Sequence, residues 1–412
     1  MKDPAGESNN SCTKRGSHLK VLIICLVCTL VYVYLYSNLT IRTIAVNVMM
    51  KNTIDDLQRW KNKVEGWVRG FSGKSNNQSS EGADRRNKSY HQSITSTTQP
   101  PKITSTSLNI AMANSNIPTA LTKTMSLKNR IMALKESILK NEANPLITLF
   151  TTWPTKKEKF VVHNSTIRNW KALSPFVKPV FFTNEEELGN RVRSMGWSIL
   201  PVTKSAIGIP ILKYMYLDAM SNFKSTFYAY CNGDILFTEN LIETLVSILN
   251  FNIDFKIPML LVGQRTNVQD VTEVEASSFD KITKASKRGK IFTSYAEDYF
   301  ITTSNYPWKD CAEVVIGRRA YDNWLVLNAR KHQYTTIDGS KTLLAVHQTT
   351  KAGNYEGHAV PNSNYNDKLL VGMYRRVYYG SGLTSCTSFY TVPSESGPKL
   401  VKRKIHKGCF PL

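Results

Sequence analysis

Phe227-Tyr-Ala-Tyr-Cys-Asn-Gly-Asp-Ile-Leu-Phe237 reads as an apolar strand that stops at Asn232-Gly233-Asp234 and resumes as an apolar segment ahead of a helix. A carboxylate and an amide together at a strand exit can hold a divalent ion through hard oxygen ligands and leave positions open for phosphates. The same three residues are also an ordinary turn sequence. Outward from this stretch, strand-like and helix-like runs alternate with short connections. Ile147–Trp153 (ITLFTTW), Val177–Thr183 (VKPVFFT), Trp197–Val202 and Met259–Val262 read as strands. His163–Leu173, Glu185–Met195, Pro210–Met220 and Glu239–Leu249 have helical spacing. Tyr299–Thr303 adds a strand and Asp322–Ala329 a helix, followed by a basic tail. This alternation predicts an α/β domain with a mostly parallel sheet covered by helices on both faces. Ligands of such sheets sit beyond the carboxyl ends of the strands, where Thr151–Trp153, Thr183–Glu185 and Asn232–Asp234 fall.

The chain has 412 residues, 42% hydrophobic and 20% charged, which excludes wholesale disorder and a multi-span membrane protein. Its formal charge of +22 is spread out: residues 1–140 hold 20 basic and 8 acidic residues, and residues 141–412 hold 33 and 23. No dense basic helix or Arg/aromatic stripe points to nucleic acid, so no nucleic-acid partner is expected. A diffuse positive field suits anionic ligands in general. The absence of a Gly-rich P-loop, a nucleophile elbow and an HExxH motif removes ordinary kinases, α/β-hydrolases and zincins.

Val21–Tyr36 (VLIICLVCTLVYVYLY) carries no charge, Pro or Gly, and with its neighbours reaches roughly the ~30 Å of a hydrocarbon core. Lys14, Arg15 and Lys20 precede it and only Arg42 follows closely, so the N-terminus is expected to be cytoplasmic. The expected organisation is a cytoplasmic tail (1–20), a signal-anchor helix (21–41), a stem (42–140) and a luminal domain (141–412). The stem opens with Ile54, Leu57, Trp60, Val64 and Trp67 at helical spacing, which suits a stem helix, a homodimer contact or an interfacial helix. Residues 71–127 are rich in Ser, Thr, Asn and Gln, as a disordered spacer is, and 128–140 read as the first ordered helix. Cys231, Cys311, Cys386 and Cys409 lie on the luminal side and allow three pairings. Sequons at Asn38, Asn77, Asn87 and Asn164 suit a glycoprotein.

A type II anchor, a Ser/Thr-rich stem and an α/β head with a central Asn232-Gly233-Asp234 together resemble the Golgi glycosyltransferases of the GT-A fold. Asn232-Gly233-Asp234 is similar to their Asp-x-Asp motif with Asn in the first place. ITLFTTWP, then Ile167-Arg168-Asn169-Trp170 and Phe182-Thr183-Asn184-Glu185, resemble in that order a family of nucleotide-diphospho-sugar transferases found in plants and animals. The resemblance spans about residues 144–350 and implies a GT-A-like, Rossmann-type sheet. It also implies transfer of a sugar from a nucleotide-sugar to a hydroxyl of a glycan or glycoprotein, assisted by Mn²⁺ or Mg²⁺, at the Golgi membrane. Thr151 and Thr152 would then face the nucleotide, and Asn184 or Glu185 its base or ribose. Asn232 would contact the ribose or the metal, Asp234 and His347 would hold the metal, and Asp322 would be the general base with Asp298 as its rival. Lys351, Arg318 and Arg319 would contact the diphosphate, and Ser205–Pro210 would form the donor-side loop. The amide at 232 equally suits an inactive, sugar-binding or scaffolding relative that kept the fold and lost its metal chemistry. A type II adhesion or receptor ectodomain is a third reading, against which the strand–helix alternation argues, since such heads are more often all-β.

Overall fold

The computed structural model describes residues 125–156, 159–351, 353, 357 and 359–412. The expected tail, anchor and most of the stem lie outside these residues, as do Asn38, Asn77 and Asn87. Among the described residues no helix is long and apolar enough to cross a membrane.

Helix α1 (Leu127–Leu139) leads into β1 (Ile147–Thr151), α2 (Phe160–Ala172), β2 (Val177–Phe182), α3 (Glu186–Ser194) and β3 (Ser198–Leu200). A small hairpin, β4 (Ser205–Ala206) and β5 (Ile209–Pro210), precedes α4 (Leu212–Asn222), β6 (Phe227–Cys231), β7 (Ile235–Phe237) and α5 (Asn240–Ile248). Next come β8 (Met259–Gln264), β9 (Thr266–Gln269), α6 (Phe279–Ser286), β10 (Lys290–Ile291) and β11 (Glu297–Thr303). The chain closes with α7 (Tyr321–Lys331), β12 (Thr335–Asp338), β13 (Ala345–Thr349), α8 (Tyr365–Tyr374), β14 (Phe389–Val392) and β15 (Lys399–Lys402).

Nine strands form the main sheet in the order β15-β14-β12-β8-β11-β6-β1-β2-β3. Its pairings are parallel except those of β11, which runs against both β6 and β8, and of β15 at the edge. Successive side chains of the central strands enter opposite cores, as the two-residue period requires. Ile147, Leu149, Phe181, Phe227 and Ala229 pack with Trp170, Trp197, Leu245 and the inner face of α1. Phe150, Val180, Phe182, Tyr228 and Tyr230 pack with Tyr216, Trp308, Trp324 and Leu370. A strand covered on both faces reads as a continuous apolar run, and every residue of β1, β6 and β11 is buried. Chain order turns at β1: β2 and β3 lie on one side of it and β6 on the other. The crevice beyond the carboxyl ends of β1 and β6 is therefore the topological switch point.

A second sheet, β10-β9-β13-β7, contributes His347 and Gln348 of β13 to the wall of this crevice. Helix α2 ties it down. Asn169, nearly fully buried, donates to Phe237 O and accepts from Phe237 N, both at 2.8 Å. Trp170 Nε1 donates to Ile235 O at 2.9 Å, and Gln348 Nε2 donates to Thr166 Oγ1 at 3.0 Å. Asn169 and Trp170 of the Arg-Asn-Trp core seen in the sequence are thus the clasp that sets β7, and with it the loop carrying Asp234. Replacing Asn169 with Leu keeps the branching of the side chain and strands two buried backbone groups, which costs about 3 kcal/mol. Urea unfolding of Asn169→Leu is expected to show that loss; one under about 1 kcal/mol would mean that these groups find other partners.

Three features depart from the sequence reading. The region after Val262 is more ordered than its pattern suggests, since β12, β14 and β15 extend the main sheet. Cys386 and Cys409 form a disulfide, while Cys231 and Cys311 are unpaired and buried. The sequon at Asn164 sits inside α2 rather than on a loop, and Asn164 Oδ1 accepts from Arg191 at 2.7 Å.

Candidate active site

A cavity of about 1040 Å³ occupies the switch point, at the upper end of the range for small-molecule sites. Thr152, Asn184, Asn232, Asp234, Asp298, Asp322 and His347 all line it, as do Glu185, Arg318, Arg319 and Ser205–Pro210 in part. Residues predicted from separate stretches of sequence therefore meet in one volume.

The reversal of β11 explains much of the convergence. Running against β6, it brings its first residues, Glu297 and Asp298, to the edge where the parallel strands end. Asn232 N donates to Asp298 O at 2.9 Å, and Asn232 Nδ2 donates to Asp298 Oδ1 at 2.5 Å. Tyr230 Oη donates to Asn232 Oδ1 at 3.1 Å. Arg265, one residue past the carboxyl end of β8, pairs with the other Asp298 oxygen, and both side chains are buried. Asp298 is thereby a buried counter-ion that holds Asn232 and Arg265, with both oxygens engaged. That leaves Asp322, of the two expected acids, as the one able to receive a proton from a ligand.

Asp234 follows a glycine that no other residue can replace without movement, because a Cβ at 233 would lie 2.3 Å from the Trp153 ring. The antiparallel pairing of β7 with β13 sets His347 opposite Ile235, so His347 Nε2 comes within 3.3 Å of Asp234 Oδ2. His347 Nδ1 and Thr349 Oγ1 share a hydrogen bond of 2.9 Å, which fixes the ring. Asp234 Oδ1 is buried without a hydrogen-bond partner. Burial by itself would raise this carboxyl. The charge and hydrogen bond of His347, then Arg265 and Lys159, more than reverse that and hold it well below the ordinary carboxylate range. Among the described residues no cluster of three or more His, Cys, Asp or Glu could hold a metal. Asp234 and His347 fit a hard divalent cation only as a pair, with phosphate oxygens and water filling the other positions.

Asp322 lies in the first turn of α7 and accepts from Asn323 N at 3.0 Å. Burial, reinforced by the Asp298 charge, outweighs the backbone amides and Arg265 and pushes its carboxyl up to about 7. Glu297, which the sequence reading overlooked as a site residue, accepts from Asn323 Nδ2 at 3.0 Å. Burial and then the charges of Asp322 and Asp298 push Glu297 well above the usual range. Arg265 was overlooked too, although a cation directly after a buried strand was its visible signal.

Three expected contacts take other roles. Thr151 is fully buried beneath Gly233 and only Thr152 reaches the cavity, since neighbours on a strand cannot face the same way. Asn184 lines the wall, but its amide is committed to the backbone of Val202 at 3.1 and 2.8 Å, where it fixes the exit of β3. Lys351 is exposed, and Thr350 lines the cavity in its place. The loop expected on the donor side, Ser205–Pro210, is a hairpin whose turn residues Ile207 and Gly208 have φ of +51° and +76°, a strained state for a β-branched residue.

The sequence matches no family model, and no curated protein matches it. Solved structures similar to this chain include a mycobacterial protein, at 11% identity and a TM-score of 0.34, covering 69% of this chain and 89% of that one. The inositol-1-phosphate CTP transferase from T. maritima is similar at 13% identity and a TM-score of 0.31, over 52% of this chain and 94% of the other. S. aureus TarS is similar at 12% identity and a TM-score of 0.21, over 30% and 22%. Likeness of this extent carries nothing about activity, which has to be argued from the cavity.

Proposed function

We propose that this chain is a GT-A-type glycosyltransferase of the Golgi membrane, held by a single type II anchor. It moves a sugar from a nucleotide-sugar to a hydroxyl of a glycan or glycoprotein. The observation that carries this reading is the single switch-point cavity in which Asp234, His347, Arg265 and Asp322 converge. The acceptor oxygen attacks the anomeric carbon, the bond from that carbon to the diphosphate oxygen breaks, and the nucleoside diphosphate leaves with the bonding electrons. The hydroxyl proton passes to Asp322, whose carboxyl, near 7, is matched to that task at neutral pH. Lys159 and Arg265 bring positive charge to the surroundings of Asp234, where the departing diphosphate needs it. Mn²⁺ or Mg²⁺, held by Asp234 and His347, would neutralise further charge on the leaving group. Asp298 and Asn323 hold their neighbours in place without touching the reacting atoms. The Cys386–Cys409 disulfide supports an oxidising, luminal setting.

Thermal unfolding of the full chain in detergent, with each nucleoside diphosphate and with or without Mn²⁺, tests the reading. A ligand at about 100 times its dissociation constant adds about 2.7 kcal/mol of stability. One nucleotide is expected to stabilise the chain, more so with Mn²⁺, and Asp234→Ala is expected to remove the metal-dependent part. If no nucleotide stabilises it, the second reading prevails: a non-catalytic sugar-binding protein, favoured by the commitment of the Asn232 amide to Asp298.

A further inference from the structure

The groups that lower the Asp234 carboxyl are His347, Arg265 and Lys159. A second cationic group lies in the turn Gly317-Arg318-Arg319-Ala320 that feeds Asp322 into α7. Gly317, Arg318, Arg319, Ala320 and Asp322 all line the cavity. The turn is built rather than loose. Ala320 has φ of +81°, a left-handed state that a non-glycine residue keeps only where its surroundings enforce it. Asn366, fully buried on α8, accepts from Val315 N at 2.8 Å and donates to Val315 O at 2.9 Å and Arg319 O at 3.2 Å. Arg319 N donates to Ser363 O at 3.2 Å. The fixed backbone holds the Arg318 guanidinium half-buried in the wall. Its Nη1 donates to Gly317 O at 2.8 Å, while its Nε is buried and has no hydrogen-bond partner. A guanidinium edge offering donors in a plane is the fork that carboxylate, sulfate and phosphate groups match.

We propose that this turn is an anion subsite for the acceptor: Arg318, with Arg319 beside it, takes a carboxylate, sulfate or phosphate carried by the acceptor sugar. The bound anion would set the acceptor hydroxyl against Asp322. The donor's diphosphate is the other source of such an anion, but Arg265 and Lys159 already bring positive charge to Asp234, where that group would sit. The subsite rests on the transferase reading, in which Asp322 faces the acceptor.

The test is isothermal titration of the full chain with three probes: a sulfated, uronate-containing heparin disaccharide, neutral lactose, and the nucleoside diphosphates. The heparin disaccharide is expected to bind at least tenfold more tightly than lactose. Arg318→Gln is expected to remove that advantage and Arg318→Lys to restore part of it, with nucleoside diphosphate affinity unchanged within about twofold. Melting curves check that both variants are folded. Equal binding of the two disaccharides overturns the subsite, as does a heparin advantage that survives in Arg318→Gln. A loss of nucleoside diphosphate affinity in Arg318→Gln assigns the guanidinium to the donor and overturns it too. If no nucleoside diphosphate binds while the heparin disaccharide still depends on Arg318, the anion site stands as part of a sugar-binding protein, and its acceptor role falls with the transferase reading.

Discussion

Asp322→Asn is expected to lower kcat by about 10²- to 10⁴-fold while leaving nucleoside diphosphate binding unchanged, because the amide keeps the shape and hydrogen bond of the carboxylate and loses its basicity. The carboxyl is pushed up to about 7, and in the proposed reaction its deprotonated form is the base. The rate of the unaltered chain should therefore rise with pH to a plateau, with its midpoint close to 7, and the residual rate of Asp322→Asn should lack that limb. Sugar release from a nucleotide-sugar, followed between pH 5 and 9, reads both. A variant that keeps its rate would remove Asp322 as base and favour a retaining reaction, which needs no dedicated one.

The same titration leaves a signature in stability. Asp322 has a carboxyl raised from 3.8 to about 7, so between those values the folded chain binds a proton that the unfolded chain has lost. Stability falls as pH rises through that window, by linkage. Glu297 is raised in the same direction and contributes the same sign. Asp322→Asn should flatten part of that fall, and Glu297→Gln another part. Denaturant unfolding at pH 5 and pH 8 distinguishes this from a packing effect, which would shift both values equally.

What the sequence disclosed and what it hid follow from the range of the forces involved. Strand–helix alternation is local, and so the parallel half of the main sheet and the Asn232–Asp234 loop were legible before any coordinates. His347 was singled out through the resemblance alone, and it lies on the cavity wall. Strand direction is not local: EDYFITT is buried throughout and reads the same whichever way β11 runs. Its reversal decides that Glu297 and Asp298 reach the cavity. The pairing of Arg265 with Asp298 was hidden for that reason. The tail strands FYTV and KLVK are too short and too mixed for a period to show, and they exist because β12 offers an open edge. Proximity in sequence does not settle a role: Thr151 points beneath Gly233 instead of into the cavity, and the Asn184 amide serves the Val202 backbone from the cavity wall.

Asn232→Asp, which would write the familiar acidic motif into the loop, is expected to damage the chain rather than improve it. The Asn232 amide donates to Asp298 Oδ1 at 2.5 Å, and two carboxylates cannot share that distance unless one binds a proton. Holding a proton at pH 7 on an acid whose ordinary value is near 3.9 costs about 4 kcal/mol. The folded variant would bind a proton that its unfolded chain has released, so the deficit grows as pH rises and nearly vanishes around pH 4. Asp298→Asn alone is expected to cost about 3–5 kcal/mol, because it strips the buried Arg265 of its counter-ion. The double exchange, Asn232→Asp with Asp298→Asn, restores a donor for every acceptor. Arg265 donates to the new amide oxygen, the new amide nitrogen donates to Asp at 232, and Tyr230 keeps its hydroxyl partner. It should recover at least half of the summed loss, a coupling that independent sites would not give. The relocated acid would also stand beside Asp234, so Mn²⁺ should stabilise the double variant more than the unaltered chain. Additive losses, or a deficit in Asn232→Asp that is the same at pH 5 and pH 8, would show that the amide and the acid do not act as one unit.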